Sequence, residues 1–489
     1  MKYSFTVGCS ESLQSIFLIA LVITAGACSR QPATVELAAT ASPAFSPSTR
    51  ALARGNENTM MAVGFLEDRV KSDPDDIVAL NKLSNYYLQL HRETEDVEYL
   101  AQALRAAQSS LNTLPADQNL GGLRVLAQAE YETHNFMSAR DHAQELTEYE
   151  PRRSFGFQLL GDALLELGDY DKAAAAYKKM EELDAGSVAT ETRLAHLAIL
   201  RGDTALARKK YLNALAQARA DVSPSTETIA WCYWQLGEVA RASGEIETSM
   251  GFYRDALKVF PNYTHAVASL AQLRTSQGEV NEAIAVFERL VAQRPDPIDA
   301  AILGDLYKVK GRDRDAQDQY ATVERLSQSS PLNSALYNRH LIMFWADHDI
   351  KIEEAYVRAK KEYETRRDIY AANSFAWAAL KAGKLDEAQA AITDGLHLGT
   401  RDARLFYHAG MIARARGNRD AAADYLGRAL KLNQHFDLLQ SRIASQALEE
   451  IERARKSTIA QKAGDRRLST NRHEPTLHKK LPMLVRKGS

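Results

Sequence analysis

The sequence has little of what would mark a nucleic-acid-binding protein or a disulfide-rich one. Its 61 Lys and Arg residues are balanced by 63 Asp and Glu residues, so the formal net charge is −2. A dedicated nucleic-acid-binding surface usually brings a basic excess, and we therefore expect no nucleic-acid partner. Only three cysteines occur in 489 residues. The apolar content of 45% and charged content of 25% are those of a soluble folded protein, and by themselves they name no function.

Familiar catalytic and metal-binding motifs are also missing from the sequence. It contains no HExxH, no P-loop, no GxGxxG after a strand and no Cys/His cluster with zinc-ligand spacing. The densest group of candidate ligands is HLIMFWADHD, where His340 and His348 stand eight residues apart and the second falls in a turn between helices. This arrangement disfavours a metal site. We therefore predict that the protein is not an enzyme and holds no metal or cofactor.

The first thirty residues have the composition of an export signal. Lys2 stands near the start, the apolar run Ile16–Ile23 follows, and small residues lead to Cys28. The run is too short to span a bilayer, which needs about 20 apolar residues, but it suits the core of a signal peptide. We expect residues 1–27 to be that signal peptide.

The stretch TAGAC, which ends at Cys28, resembles the bacterial lipobox, in which the cysteine becomes the lipid-modified first residue of the mature protein. The resemblance implies lipidation at Cys28, and secretion with cleavage after Ala-Gly-Ala is the alternative. Ser29 favours the outer membrane, so we expect an outer-membrane lipoprotein of a bacterial cell envelope that faces the periplasm. Residues 28–56 are rich in Ala, Ser, Thr and Pro, and we predict a flexible tether there.

Acylation of Cys28 and removal of Cys9 would leave Cys232 as the last thiol. No intramolecular disulfide could then form. Cys232 stands between Trp231 and Tyr233, a setting typical of a buried, unreactive thiol and not of a nucleophile.

Most of the chain repeats itself with a step of 33 or 34 residues. The best copy is AWCYWQLGEVARASGEIETSMGFYRDALKVFPN, which carries Leu236-Gly237, Tyr253, Ala256 and Pro261 in fixed places. The pattern resembles the tetratricopeptide repeat, with Leu-Gly/Ala at positions 7 and 8, an aromatic residue at 24 and Pro at 32. The copies begin near residues 120, 154, 188, 230, 264, 297, 336, 369 and 403.

The resemblance implies an all-α fold, a right-handed α-solenoid of about ten helix pairs. Small residues at positions 8, 20 and 27 let the helices approach closely, and the aromatic side chain fills the space beside them. We place a half-unit and an enlarged first unit in 57–118, the repeat array in 119–434 and a capping helix in 435–463. The basic residues 464–489 are predicted to be a disordered tail, and contact with anionic lipid or a polyanionic partner is the alternative.

In proteins with this repeat, positions 2, 5, 9 and 12 of the first helix line a concave groove that binds peptides. Aromatic side chains occupy these positions in the unit at 230 and from 336 onward. Trp and Tyr anchor interfaces at low entropic cost, so we predict a partner-binding site there, with packing between adjacent first helices as the alternative. The candidate residues are Trp231, Trp234, Glu238, Tyr337, His340, Phe344, Tyr370, Asn373, Trp377, Arg404 and Tyr407.

Together these features predict an exported, lipid-anchored scaffold that binds a protein or peptide partner in its groove. Such a scaffold would support the assembly or regulation of a cell-envelope complex and would meet the membrane through its N-terminal anchor. Two alternatives stay open: an accessory subunit of an envelope enzyme, and a protein that binds cell-wall glycan through its aromatic face. The oligomeric state is left open.

Overall fold

The computed structural model describes residues 49–222 and 224–470, with side chains over 57–222 and 224–457. The predicted signal peptide, Cys28 and the tether up to residue 48 lie outside these ranges, as does the predicted tail from residue 471. Within the described ranges the chain forms 23 α-helices and no strand. No helix in these ranges is both long and apolar enough to cross a membrane.

The contacts between residues divide the chain into two units. Unit 1 contains the residues up to 163 together with 175–184, and unit 2 contains 164–174 and the residues from 185 onward. The helices before the dividing region are α1 (Thr49–Ser72), α2 (Ile77–Thr94), α3 (Glu98–Thr113), α4 (Leu120–Glu132) and α5 (Phe136–Tyr149). Two further helices contribute residues to both units, α6 (Ser154–Leu167) and α7 (Tyr170–Leu183).

All the later helices belong to unit 2. They are α8 (Val188–Leu200), α9 (Thr204–Ala220), α10 (Thr226–Ala242), α11 (Ile246–Val259), α12 (Thr264–Thr275), α13 (Val280–Gln293), α14 (Pro297–Val309), α15 (Asp313–Ser327), α16 (Pro331–Leu336), α17 (Asn338–Asp347), α18 (Ile352–Thr365), α19 (Ile369–Lys381), α20 (Leu385–Leu396), α21 (Ala403–Ala415), α22 (Arg419–Leu432) and α23 (Gln440–Thr470).

The predicted all-α solenoid is confirmed, because ten pairs of consecutive helices follow one another between α1 and α23. Several first helices begin at side-chain caps: Ser225 accepts a hydrogen bond from the backbone N–H of Thr228, and Asp402 accepts one from that of Leu405. Such caps satisfy backbone donors that have no partner inside the helix. Glycines in the left-handed region end most of the first helices, as at Gly383, where φ is 72°.

Within a pair, the aromatic residue of the second helix packs on the glycine of the first. The ring of Tyr253 lies so close to Gly237 that a β-carbon added there would collide with it, and the same holds for Tyr320 and Gly304. This is why the repeat pattern pairs a small residue at position 8 with an aromatic residue at position 24. Tyr253 itself is fully buried.

The unit predicted to begin at 336 departs from this pattern in its turn. At the turns that contain a glycine with positive φ between the two helices of a pair, the second helix begins two residues after that glycine, as Leu385 follows Gly383. Between α17 and α18 the positive φ angles are at Asp349 (55°) and Lys351 (45°), and α18 begins only at Ile352. The turn is therefore one residue longer, and α17 lies one residue out of the predicted register.

Turns of unit 2 that lie far apart in the sequence contact one another, and we call these contacts the seam. Each joins the end of one first helix to residues just before a later helix, α19, α21 or α23. The contacts are the ion pair of Arg366 with Glu166, the hydrogen bond from the N–H of Arg367 to the carbonyl of Leu167, that from the hydroxyl of Thr400 to the carbonyl of Leu200, and that from the amide of Asn433 to the carbonyl of Arg241. The partners are 192–200 residues apart, so unit 2 winds through about six repeats before it meets itself.

Two predicted boundaries are corrected at the ends of the described chain. The helix α1 begins at Thr49, whereas the tether was predicted to extend to residue 56. Residues 49–56 contain alanine, leucine and arginine, which favour helix, and no proline. The helix α23 runs from Gln440 to Thr470, so the predicted capping helix starts later than expected and continues into the predicted tail.

Candidate functional site

One partly exposed face of unit 2 follows the first helices α10, α12 and α14. On α10 every residue from Ile229 to Ala240 is buried except Trp231, Trp234 and Glu238, which are half-exposed. Their spacing of three and four residues keeps them on one side of the helix, while α9 and α11 pack against its other sides. The half-exposed residues agree with the spacing predicted for positions 2, 5 and 9.

The same positions are half-exposed on the next two first helices. Together they form what we call the open stripe: Trp231, Trp234 and Glu238 on α10, His265, Ala268 and Gln272 on α12, and Ile298, Ala301 and Asp305 on α14. The prediction missed the residues on α12 and α14 because it searched for aromatic side chains. Positions 2, 5 and 9 of each first helix, taken without regard to residue type, would have identified these residues.

The two tryptophans of the open stripe are held by neighbouring side chains. The indole N–H of Trp234 donates to the hydroxyl of Ser269 at 3.0 Å, and its ring stacks on His265 with 5.0 Å between ring centroids. Trp231 meets the ring of Tyr211 edge-on at 6.1 Å. Each ring therefore combines the two roles considered for it: part of it packs between helices and part faces solvent. A ring fixed in this way loses little entropy when a partner binds.

The carboxylate of Glu238 is neutralised within the protein. It accepts hydrogen bonds from Arg241 at 2.6 Å, from Ser269 at 3.2 Å and from the hydroxyl of Tyr253. Burial opposes ionisation of Glu238, but Arg241 and these hydrogen bonds outweigh it and lower its pKa. Glu238 is therefore charged and already paired, and it holds the tryptophan side of the stripe in place.

The other acid of the open stripe, Asp305, is compensated in the same way. It accepts hydrogen bonds from Nε2 of His348 at 2.7 Å and from the hydroxyl of Tyr320 at 2.8 Å. The Nδ1 atom of His348 lies 2.7 Å from the carbonyl oxygen of Phe344. Burial opposes protonation of His348, but these acceptors outweigh it and raise its pKa. The open stripe thus offers aromatic and apolar surface beside charges that already have partners.

The expected aromatic groove in the C-terminal units is corrected by the structure. Five of its predicted members are buried and cannot act as exposed anchors: Tyr337, Phe344, Asn373, Trp377 and Tyr407. The long turn before α18 explains two of them, because it shifts α17 by one residue. Phe344 then points into the core, and Met343 is the half-exposed residue instead.

Trp377 shows why the α19 and α21 positions are closed. Its side chain is only 1% exposed, its indole N–H donates to Asp347 at 2.9 Å, and its ring stacks on His408 at 4.2 Å. The hydroxyl of Tyr407 donates to Gln440 at 2.7 Å. These rings pack between neighbouring helices, which is the alternative role considered for them in the sequence analysis. Asn373 is also engaged, because its Oδ1 lies 2.8 Å from Nδ1 of His408.

The three remaining candidates, His340, Tyr370 and Arg404, are half-exposed. Arg404 forms ion pairs with Asp347 at 3.4 Å and with Asp437. Burial raises the pKa of Asp347 to about 6 although Arg404 opposes the shift. Arg404 is therefore occupied by two carboxylates and serves to join α17, α21 and the segment before α23.

Two kinds of reactive group, metal ligands and a free thiol, can be checked among the described residues. These residues contain no cluster of three or more His, Cys, Asp or Glu side chains that could hold a metal ion. Cys232 is fully buried, and burial raises the pKa of its thiol to about 12. A thiol that stays protonated is a poor nucleophile.

Comparison with known sequences finds tetratricopeptide repeat models at residues 187–262, 240–306, 124–188 and 373–435. Together these segments make up about half of the chain. The cellulose synthase operon protein C of Pseudomonas fluorescens (strain SBW25) is 24% identical over 263 residues, which are 53% of this chain and 20% of that protein. The chain thus matches about one fifth of the length of this curated relative.

Comparison with solved structures finds similarity to several proteins. Human IFIT1, solved as a dimer with PPP-AAAA, is 15% identical, with 78% of this chain and 88% of that one covered and a TM-score of 0.42. Yeast Tom70 is 13% identical, with 85% and 97% covered and a TM-score of 0.35. A thermophilic TPR protein of Thermus thermophilus is 18% identical, with 39% and 99% covered and a TM-score of 0.34.

Proposed function

Because the chain belongs to the tetratricopeptide repeat family, we propose that it is an exported, lipid-anchored scaffold that binds an uncharged, extended protein segment along the open stripe. Repeats of this family support protein interaction. The observation that carries the proposal is the combination of half-exposed Trp231 and Trp234 with acids that are already paired inside the protein. Aromatic side chains fixed in place are the usual anchors of such interfaces.

The paired charges favour an uncharged ligand. Arg241 compensates Glu238, and His348 compensates Asp305, so a charged ligand would gain little from either acid. A ligand group that displaced these partners would leave a charge without compensation. An apolar side chain placed between Trp234 and Ile298 would instead remove apolar surface from water.

Crosslinking in intact cells tests the binding face. A photoreactive amino acid at Trp231 is expected to capture a defined partner protein, whereas the same group at Val357, an exposed residue of α18, is not. Trp234→Ala should reduce the capture from position 231 while the fold is retained. Capture from Val357 that persists in Trp234→Ala, with none from position 231, would contradict the proposed face.

The lipid anchor is proposed from the sequence around Cys28. Two acyl chains at this residue would hold the scaffold at a membrane, and the confinement would raise its effective concentration toward membrane-bound partners. Such a tethered scaffold suits the assembly or regulation of an envelope complex, including one with an enzyme subunit. Cells fed labelled palmitate are expected to label the wild type and not Cys28→Ser, and label that persists in the variant would exclude this anchor.

Polysaccharide binding is the second candidate function. The half-exposed stack of Trp234 on His265 presents an aromatic face of the kind that sugar rings can cover. The likeness to a cellulose synthase operon protein points in the same direction. A pull-down with purified cell-wall polymer decides between the two: retention of the wild type and loss of Trp234→Ala would favour the glycan, and equal absence of both would favour a protein ligand.

A further inference from the structure

Helix α1 forms half of a repeat and leaves one side open. It packs against α2 with Thr59, Val63 and Leu66, which are buried. On another side Met61 is 73% exposed and Phe65 is 64% exposed, one turn apart. Three of the exposed large apolar side chains, Met60, Met61 and Phe65, thus lie within six residues. Such clustering on a surface marks a contact site more often than scattered apolar residues do.

The position of α1 in the repeat explains why this side is open. In the pairs of unit 1, a second helix packs on the first helix that precedes it, as α3 packs on α2. Among the described residues no first helix precedes α1; it packs mainly on the following helix, α2, and Tyr99 of α3 reaches Met60. A repeat array needs a polar cap where stacking stops, and Met61 and Phe65 do not provide one.

The surface around Met61 and Phe65 is complementary to itself. Glu57 lies one turn before Met61 and Arg69 one turn after Phe65, on the same stripe of the helix. In an antiparallel pair of α1 helices centred on residue 63, Met61 would face Phe65 of the second copy and Glu57 would face its Arg69. The four contacts are related by the two-fold axis that closed dimers use.

Two further observations fit this arrangement. A β-carbon added at Gly64, in the row of residues beside Met61 and Phe65, would meet nothing within 4 Å, so the helix leaves room there for a second helix. Arg69 forms an ion pair with Asp76, but its side chain is still 44% exposed and has donors to spare. The stretch from Glu57 to Arg69 extends about 18 Å along the helix, enough for one crossing of two helices.

We infer that a second copy of this chain covers the open side of α1, forming an antiparallel α1–α1 contact with Met61 against Phe65 and Glu57 against Arg69. The inference does not depend on the ligand of the open stripe or on lipidation. A single helix crossing of this size is a weak interface, and dissociation in the micromolar range is expected. Confinement to one membrane would raise its occupancy.

Sedimentation velocity of the full chain carrying Cys28→Ser, over a range of concentrations, tests the inference. The parent should dimerise reversibly, and Phe65→Asp should weaken the dimer at least tenfold because it places a carboxylate in the apolar contact. Val357→Asp, at an exposed apolar residue of α18, is the matched control and should leave association unchanged. Circular dichroism checks that each variant folds.

Charge reversal gives a stricter test, because a merely structural role of Arg69 beside Asp76 predicts no rescue. Glu57→Arg and Arg69→Glu should each weaken the dimer, since each brings like charges together across the contact. The double variant should restore association, because every pair then has opposite charges again. A parent that stays monomeric at about 100 μM, a dimer indifferent to Phe65→Asp, or a monomer that needs Phe65 to bind phosphatidylethanolamine–phosphatidylglycerol vesicles would each overturn the inference.

Discussion

Trp234 and Trp377 lie on first helices of two different repeats in unit 2. Both are predicted from the sequence to face the groove, but only Trp234 is exposed to solvent. Trp234 is half-exposed, with Ser269 and His265 holding one side of it. Trp377 is closed in between Asp347 and His408. An aromatic residue at a groove position therefore does not establish an open surface; what packs against its helix does.

The helix α19 differs most from α10, because all its residues from Ala371 to Ala379 are buried. Its start lies at the seam: the N–H of Ile369 donates to the hydroxyl of Tyr170 at 2.8 Å. The start of α10 is capped by Ser225, and Thr226 and Glu227 just after that cap are exposed. The comparison separates an open region, α10–α14, from a closed one, α19–α21.

The largest difference is expected from removing the two tryptophans. Trp377→Ala should lower the free energy of unfolding by about 3–5 kcal/mol, because it empties a buried volume and removes the indole donor of Asp347. Trp234→Ala should cost only about 1–2 kcal/mol, since its ring is already partly exposed to water. Urea denaturation measures both. Equal losses would mean that the two regions do not differ in packing.

Two turn glycines with almost the same backbone test the seam. Gly202 has a φ of 74° and Gly383 one of 72°, so alanine at either should cost about 1–2 kcal/mol in strain. A β-carbon at Gly202 would also collide with the carbonyl oxygen of Gly399, while at Gly383 it would meet nothing within 4 Å. Gly202→Ala should therefore be worse than Gly383→Ala by about a further 1–3 kcal/mol. If thermal unfolding shows the same loss for both variants, the seam adds no stability.

The two regions should respond to pH with opposite sign through their acids. The pKa of Asp347 is raised to about 6, so the folded state holds its proton more tightly and the free energy of unfolding falls as pH rises from about 4 to 6. This group accounts for no more than about 3 kcal/mol. The pKa of Glu238 is lowered, so its contribution is present at neutral pH and is lost as pH falls below its ordinary value.

Urea denaturation at about pH 3.5 and pH 7 measures these changes, because the lower pH lies below the ordinary pKa of both acids. Relative to the wild type, Asp347→Asn should gain stability as pH rises, whereas Glu238→Gln should lose it. A common sign for both variants would contradict the assignment of the two acids.

The smallest effect is expected from one hydroxyl in each region. Ser269→Ala removes the hydrogen bond to Trp234 and should cost about 1 kcal/mol, and capture of a partner from the open stripe should fall with it. Ser374→Ala removes a bond from a buried hydroxyl to the carbonyl of Ala371 in its own helix and should leave capture unchanged. Equal capture by both variants would show that the orientation of Trp234 does not matter for binding.

The repeat pattern predicts the helix pairs because its small and aromatic positions report contacts between neighbouring helices, as Gly237 and Tyr253 do. It also places Trp231, Trp234 and Glu238 on the half-exposed side of α10. It fails at α17, because the one residue added to the turn between Asp349 and Lys351 has no signature in the spacing of the second helix. It fails at α19 and α21 for a different reason.

The closure of those helices depends on groups that are distant in the sequence. The partner of Arg366 at the seam is 200 residues away, and Gln440 reaches the carbonyl of Asp347 over 93 residues. A pattern with a period of about 34 residues contains no information about such pairs. Composition and spacing therefore predict which helices form and leave undetermined which faces stay open.

The seam also fixes how many repeats unit 2 can contain. An ordinary solenoid is coupled only between neighbours, so a repeat can be gained or lost at modest cost. Here Glu166 must meet Arg366 and Leu200 must meet Thr400, and the partners of each pair are 200 residues apart. Deleting one repeat between the partners would shift all the later turns by about 34 residues, so that each of them would lose its partner at the seam. The array therefore tolerates substitution within its repeats better than any change in their number.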